Sequence, residues 1–190
     1  MSCISLNIRG VGQSGKIKWL KKICIEENPI ILGLQETKCA QSPDSLIESF
    51  WYNSNFQFVQ KDAIGASGGL LLIWDPTTFS FEQALEGEFF IAIKGTWAGY
   101  NSDIVIVNVY GPHSHQKKIK FWAELTNLIN YINVPHIIFG DFNEVRSKSE
   151  RLNCNFKQTW ADNFNNFINN SNLIDLPLGE RSSPVSVLIK

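Results

Sequence analysis

The chain has 190 residues, 17 basic and 18 acidic side chains, a net charge of −1 and 44% hydrophobic residues, with a pI near 6.3. That is enough apolar material for one domain with a substantial core. It gives no overall electrostatic footprint for a polyanion, so any nucleic acid must be gripped locally. No basic stretch followed by an apolar core opens the chain, and no apolar run approaches the roughly 18 residues of a membrane span; a soluble, unsecreted protein without membrane contact is expected. The four cysteines, Cys3, Cys24, Cys39 and Cys154, form no Cys-x-x-Cys pair. They suggest neither a zinc site nor a disulfide framework, and so a reducing compartment. The Asn169-Asn170-Ser171 sequon then carries no meaning.

Cys3 to Ile8 alternates apolar and polar residues and is predicted as a strand ending in Asn7-Ile8-Arg9-Gly10. Lys16 to Glu27 places Ile17, Leu20, Ile23 and Cys24 on one helical face, and Asn28-Pro29 stops it. Ile30 to Leu34 reads as a buried strand running into Gln35-Glu36-Thr37-Lys38. Ser42-Pro43 is a start signal for a helix over Asp44 to Tyr52. Phe56 to Lys61 is a strand. Ala63 to Gly69 is a glycine-rich turn without the helix and Gly-Lys-Ser/Thr of a nucleotide loop, and Leu70 to Trp74 is strand again. Phe79 to Leu85 and Glu88 to Thr96 alternate as antiparallel strands about Glu86-Gly87. Asp103 to Tyr110 carries Ile104-Val105-Ile106-Val107, buried on both faces, and ends in Tyr110-Gly111-Pro112. Gln116 to Tyr131 is the clearest helix.

His136 to Phe139 is a further strand buried on both faces; Gly140 lets its end turn, and Asp141 and Asn143 follow two residues apart. A charged loop over Glu144 to Arg151, a helix over Gln158 to Ile168 and an extended piece over Leu173 to Pro177 complete the pattern, and the tail beyond Gly179 has no legible motif. The lysine groups Lys16, Lys18, Lys21, Lys22 and Lys117, Lys118, Lys120 lie on helical segments and are expected as solvated faces.

Asn7, Glu36, Tyr110 and the Asp141/Asn143 pair each stand at the carboxyl end of a predicted strand, where α/β sheets keep their sites. Each alone is explained by a turn or a first solvated residue; their joint occurrence on buried strands points to a site. A hard cation such as Mg²⁺ takes one or two carboxylates with amide oxygen and water, leaving positions for a phosphate, and Glu36 with Asn7 suits it. Phosphodiester hydrolysis needs an oriented water and donors for charge on the phosphate oxygens, which Asp141 and then Asn143 and Tyr110 can supply.

Leu6-Asn7-Ile8-Arg9-Gly10, Leu34-Gln35-Glu36-Thr37-Lys38, Ser67-Gly68-Gly69, Val109-Tyr110-Gly111-Pro112 and Gly140-Asp141-Phe142-Asn143 resemble successive motifs of the endonuclease/exonuclease/phosphatase superfamily. The set is similar to apurinic-type endonucleases. Asp141-Phe142-Asn143-Glu144-Val145-Arg146 and Leu173-Ile174-Asp175-Leu176 most resemble the endonuclease domain of plant LINE-type retrotransposons. The resemblance implies an α/β (α+β) fold, a DNase I-like four-layer α/β/β/α sandwich of two mixed sheets, over residues 1–179, with 180–190 as a divergent tail. It also implies Mg²⁺-dependent cleavage of DNA, in the nucleus or the cytoplasm. Glu36 is then the metal ligand with Asn7 beside it, Tyr110 and Asn143 hold the phosphate, and Asp141 activates water.

The family's terminal Ser-Asp-His is missing. His113, His115 and His136 lack the preceding Ser-Asp and are assigned no catalytic role. The fold is therefore expected to be incomplete at the C-terminus through truncation or a change of frame, with a sheet edge and part of the inter-sheet core left open. Activity is expected to be slight, and an inactive relic that binds nucleic acid weakly is the alternative.

Overall fold

The computed structural model describes residues 2–12, 14–40, 44–64, 67–150, 156–176 and 185–190. The helix signal at Ser42-Pro43, Gly65-Ala66 of the glycine-rich turn, the end of the charged loop at Arg151, Cys154, and the tail from Pro177 to Pro184 lie outside them. In chain order the elements are β1 (Cys3–Asn7), α1 (Ser14–Glu27), β2 (Ile31–Gln35), α2 (Asp44–Glu48), β3 (Gln57–Ile64), β4 (Ser67–Trp74), β5 (Phe79–Glu86), β6 (Phe90–Trp97), β7 (Asp103–Tyr110), α3 (His115–Tyr131), β8 (His136–Asp141), α4 (Gln158–Asn170), β9 (Ile174–Leu176) and β10 (Val185–Ile189). A 3₁₀ turn, Lys148–Glu150, precedes α4.

The strands form two mixed sheets, one in the order β1-β2-β4-β3 and one in the order β5-β6-β7-β8-β10-β9. Parallel pairing joins β1 to β2 and β7 to β8. Strand periodicity then builds the layers, because alternate residues face opposite ways. Ile31, Leu70, Leu72 and Trp74 of the smaller sheet meet Phe79, Ile91, Ile93, Ile106, Ile137 and Phe139 of the larger one. Leu32, Leu34, Leu71 and Ile73 face outward onto Leu20 and Cys24 of α1 and Ile47 of α2. On the far side Val105, Val107, Val109 and Ile138 meet Phe121, Trp122 and Leu125 of α3 and Phe164 and Phe167 of α4. The result is the expected four-layer sandwich, α1 and α2 on one face and α3 and α4 on the other. Two glycines permit its closest approaches. A Cβ on Gly33 would run into the Phe139 ring from the facing sheet, and Gly140, at φ +139, lies against the Val109 carbonyl.

Three expectations need correction. The helix over Asp44 to Tyr52 stops at Glu48; the Ser49 hydroxyl donates to the Leu46 carbonyl at 2.5 Å, a local bond that competes with helix continuation. The open sheet edge expected at the C-terminus is not found at β8: the end of the tail forms β10, which pairs with β8 on one side and β9 on the other. Val187 and Ile189 pack into the inter-sheet core and Leu188 into the helix-facing core, a period-2 pattern visible in Val-Ser-Val-Leu-Ile. The edge of β8 is therefore covered, and an edge remains at β1, which among the described residues pairs with β2 alone and whose five residues are all partly exposed. Finally, the lysine groups are not uniformly solvated, since Lys118 is buried. Among the described residues no helix is long and apolar enough to cross a membrane.

Candidate active site

The two parallel pairs end side by side. Asn7 closes β1 opposite Gln35 in the smaller sheet, and Tyr110 closes β7 opposite Asp141 in the larger one. The sheets are face to face, so these ends bring Asn7 and Glu36 from one layer against Tyr110, Asp141 and Asn143 from the other. The Asn7 side-chain amide joins them. Its Nδ2 donates to Glu36 Oε1 at 2.9 Å and to Asp141 Oδ2 at 2.8 Å, so the two carboxylates stand no further apart than one bridging nitrogen allows. The Tyr110 hydroxyl also hydrogen-bonds Glu36. The Asn143 N–H donates to Asp141 Oδ1 at 2.9 Å, and its Nδ2 to the Gly111 carbonyl at 2.6 Å. All five sequence-predicted residues converge.

The loops that aim these groups are held in unusual conformations. Arg9, Glu36, Lys38 and Asn143 have φ between 50° and 56°, left-handed backbone that costs a non-glycine residue of order 1–3 kcal/mol and persists only where surroundings over-determine it. The surroundings are visible. Thr37 and Lys38 donate their N–H groups to the carbonyls of Gly69 and Gly68 at 3.1 and 3.0 Å, and Gly10 N–H donates to Glu36 O at 2.6 Å. The glycine-rich motif thus clamps the Glu36 loop instead of cradling a nucleotide. Lys16 Nζ holds the carbonyls of Ile8 and Arg9, both at 2.8 Å, so this lysine also serves the site.

Burial alone would raise the Glu36 carboxyl, but the hydrogen bonds from Asn7 and Tyr110 and the charges of Lys38 and Arg9 hold it below its ordinary 4.5. Tyr110 moves the opposite way. Burial, the bond to Glu36 and the charges of Glu36 and Asp141 push its hydroxyl well above the usual tyrosine range, which keeps it a proton donor.

Asn7 Oδ1 is buried without a hydrogen-bond partner. Both contacts of the Nδ2 are to carboxylate oxygens, so the amide orientation is fixed by chemistry and the oxygen is left as a free acceptor. A hard cation fits this donor set: a carboxylate at Glu36 and an amide oxygen at Asn7, with most of the shell left to water. Among the described residues no three His, Cys, Asp or Glu side chains cluster as metal ligands.

A groove of about 440 Å³ opens beside Tyr110, lined by the apolar Leu70, Phe89 and Pro112 and by Lys61, Asp62, Glu88, His113 and Lys117. His113 stands edge-on to the Tyr110 ring, 6.4 Å between centres, so one of the three discounted histidines borders the site. His115 stacks on Trp160 at 5.5 Å. His136 is fully buried at the start of β8, where burial lowers its pKa.

Below the site runs a polar network that strand reading did not assign. Gln35 Nε2 donates to Asn108 Oδ1 at 2.6 Å and to Ser5 Oγ at 3.0 Å, while Asn108 Nδ2 donates to the carbonyls of Leu34 and Leu71. Both side chains are fully buried, and the network ties the sheets together directly under Glu36. Its signal in the sequence is a polar residue closing the run Ile104-Val105-Ile106-Val107-Asn108. The charged loop after Asn143 also holds more than solvent: Arg146 bonds Asn165 Oδ1 at 2.9 Å and Asp175 Oδ2 at 3.0 Å, joining the segments around Asp141 and Asp175.

Two mixed sheets packed face to face between helices, with acidic and amide side chains at adjoining strand ends, define a DNase I-like α/β sandwich. The Endonuclease/Exonuclease/phosphatase family profile matches residues 4–176, and the chain belongs to that family. Similar solved structures include the AP endonuclease LMAP from Leishmania major, with a TM-score of 0.75 at 14% identity over 99% of this chain and 78% of that one. The 3′ phosphatase NExo from Neisseria, bound to a product DNA hairpin, gives 0.73 at 14% over 100% and 86%. An AP endonuclease from Archaeoglobus fulgidus gives 0.71 at 15% over 100% and 86%. At these identities the likeness is one of fold. No curated protein matches the sequence.

Proposed function

We propose that the chain is a Mg²⁺-dependent phosphodiesterase acting on DNA. The observation that carries this reading is the Asn7 amide bridging Glu36 and Asp141 across the two sheets, which leaves an oxygen-only donor set beside an oriented carboxylate.

Glu36 and Asn7 Oδ1 would hold the ion, which supplies charge stabilisation to the phosphate oxygens. Asp141 takes the proton of the attacking water. Both its oxygens are oriented, by Asn7 and by the Asn143 N–H, and each retains a lone pair for that water. The water oxygen bonds phosphorus, the bond from phosphorus to the leaving nucleotide oxygen breaks, and that oxygen is protonated from solvent. Asn143 keeps one amide hydrogen beyond its bond to Gly111, and Tyr110 gives up its bond to Glu36, to donate to the phosphate. The neighbouring nucleotide lies in the groove lined by Leu70, Phe89 and Pro112 and by Lys61 and Lys117, where apolar surface for a base adjoins two lysines for its phosphate, with Asp62 and Glu88 on the same lining.

The motif wording around Asp141 and Asp175 supports kinship with plant LINE-type retrotransposon endonucleases. The Arg146–Asp175 pair joins those two segments in space. Action on chromosomal DNA, and so nuclear residence, belongs to the same proposal.

The test is nicking of end-labelled plain and abasic duplexes in Mg²⁺ and in EDTA. The expected outcome is nicking in Mg²⁺ that disappears in EDTA. No product on any polynucleotide, or equal product in EDTA, rejects the reading.

A further inference from the structure

Lysines on solvated helix faces keep their ammonium in water, and Lys118 does not. It sits in the first turn of α3 at 3% exposure. Its Nζ donates to the Asn143 carbonyl at 2.6 Å and to Glu144 Oε2 at 2.5 Å, and lies 4.9 Å from the centre of the Trp160 ring. An ammonium has three hydrogens, and these three partners occupy them. Glu144 is as enclosed, at 4%, with its other oxygen on the Val145 N–H. Neither charge faces water. Such a pair gains little net stability over apolar packing, so its use lies in what it holds.

It holds one carbonyl. Asn143 is left-handed, at φ 50, and three contacts fix it there: its N–H on Asp141, its side-chain amide on Gly111 and its C=O on Lys118. Turning this residue back to extended backbone would carry the N–H away from Asp141 Oδ1. The other oxygen of Asp141 is held by Asn7. A continuous chain of bonds therefore runs from α3 in the outer layer, through Asn143 and Asp141, to Asn7 and Glu36 in the facing sheet.

We infer that Lys118, paired with Glu144, is a positioning residue: it sets the backbone of Asn143 and, through that N–H, the orientation of the Asp141 carboxylate. Its effect on rate rests on the hydrolytic role proposed for Asp141; the positioning itself is measured without it.

The test uses the full chain and the double variant Lys118→Met/Glu144→Gln, which removes both charges and leaves neither buried alone. In the unaltered protein the Lys118 ammonium should give a slowly exchanging ¹⁵N signal, and the Asn143 amide should be protected from hydrogen exchange. In the double variant Asn143 protection should fall by about tenfold or more while amides of β7 and β8 keep theirs. The nicking kcat should fall about 10- to 100-fold, with KM within about threefold. A folded double variant that keeps Asn143 protection and kcat overturns the inference. If the double variant does not fold, a Lys118 ammonium in the unaltered protein that exchanges as fast as the surface lysines overturns it. If the unaltered protein hydrolyses nothing, the proposed function falls and the exchange measurements still decide the positioning.

Discussion

Replacing Asn7 by Asp changes one atom's chemistry at the centre of the site and leaves its shape. The Nδ2 that donates to Glu36 at 2.9 Å and Asp141 at 2.8 Å becomes an acceptor facing two acceptors. Hydrogen bonds to charged groups are worth about 1.5–3 kcal/mol each; both here are part-buried, so the lower end applies and the loss is about 3 kcal/mol. For a domain of this size that lowers Tm by about 6–12 °C. Two further signs follow. The three carboxylates favour sharing a proton, which raises their folded pKa above the unfolded value. The penalty is therefore least near pH 4 and grows as pH rises toward 7. A divalent cation relieves the same repulsion, so Mg²⁺ at about 100 times its Kd should return about 2.7 kcal/mol. The assay is thermal unfolding of both proteins in EDTA and in Mg²⁺ at pH 4.5 and 7. An Asn7→Asp protein as stable as the parent in EDTA at pH 7, with no added response to Mg²⁺, would refute the bridging role of Asn7.

Glu36→Gln should weaken Mg²⁺ binding about tenfold or more by calorimetry, since one carboxylate dominates the donor set; equal binding removes Glu36 from that role. The depressed pKa of Glu36 stabilises the fold above its ordinary 4.5 and is lost as pH falls below that value, so the stability difference between parent and Glu36→Gln should shrink in urea titrations below pH 4.5. Lys61→Ala/Lys117→Ala should lower the salt dependence of single-strand binding by about 0.7 per lysine in log–log slope; an unchanged slope places the strand elsewhere. Leu188→Ala should cost about 2–5 kcal/mol in denaturant unfolding, and a negligible loss would detach β10 from the core.

Much of this was legible in the sequence because burial writes itself as pattern. Ile104 to Val107 and His136 to Phe139 read as strands covered on both faces, and they are, except at Ile104, which is half-buried. The site residues stood out because a polar side chain just past an apolar strand is a local event. What was not legible depends on partners far apart in the chain. Lys118 looks like its neighbours Lys117 and Lys120 until Glu144, 26 residues on, is folded against it. The glycines of Ser67-Gly68-Gly69 look like a loose turn until their carbonyls meet Thr37 and Lys38. Val185 to Ile189 carried a strand pattern, but its neighbours β8 and β9 were needed to show what it pairs with.

The most direct measurement is single-turnover nicking of a labelled duplex by the parent chain and by Asp141→Asn, each verified as folded by circular dichroism. Asp141 is the group assigned to accept the proton of the attacking water, and the change to an amide keeps its size while setting one NH₂ against the Asn7 amide or the Asn143 N–H, which is why folding is verified first. The expected result is Mg²⁺-dependent nicking by the parent and a rate lower by about 10² or more in the variant. Equal rates in the two proteins would contradict a hydrolytic site built on Asn7, Glu36, Tyr110, Asp141 and Asn143.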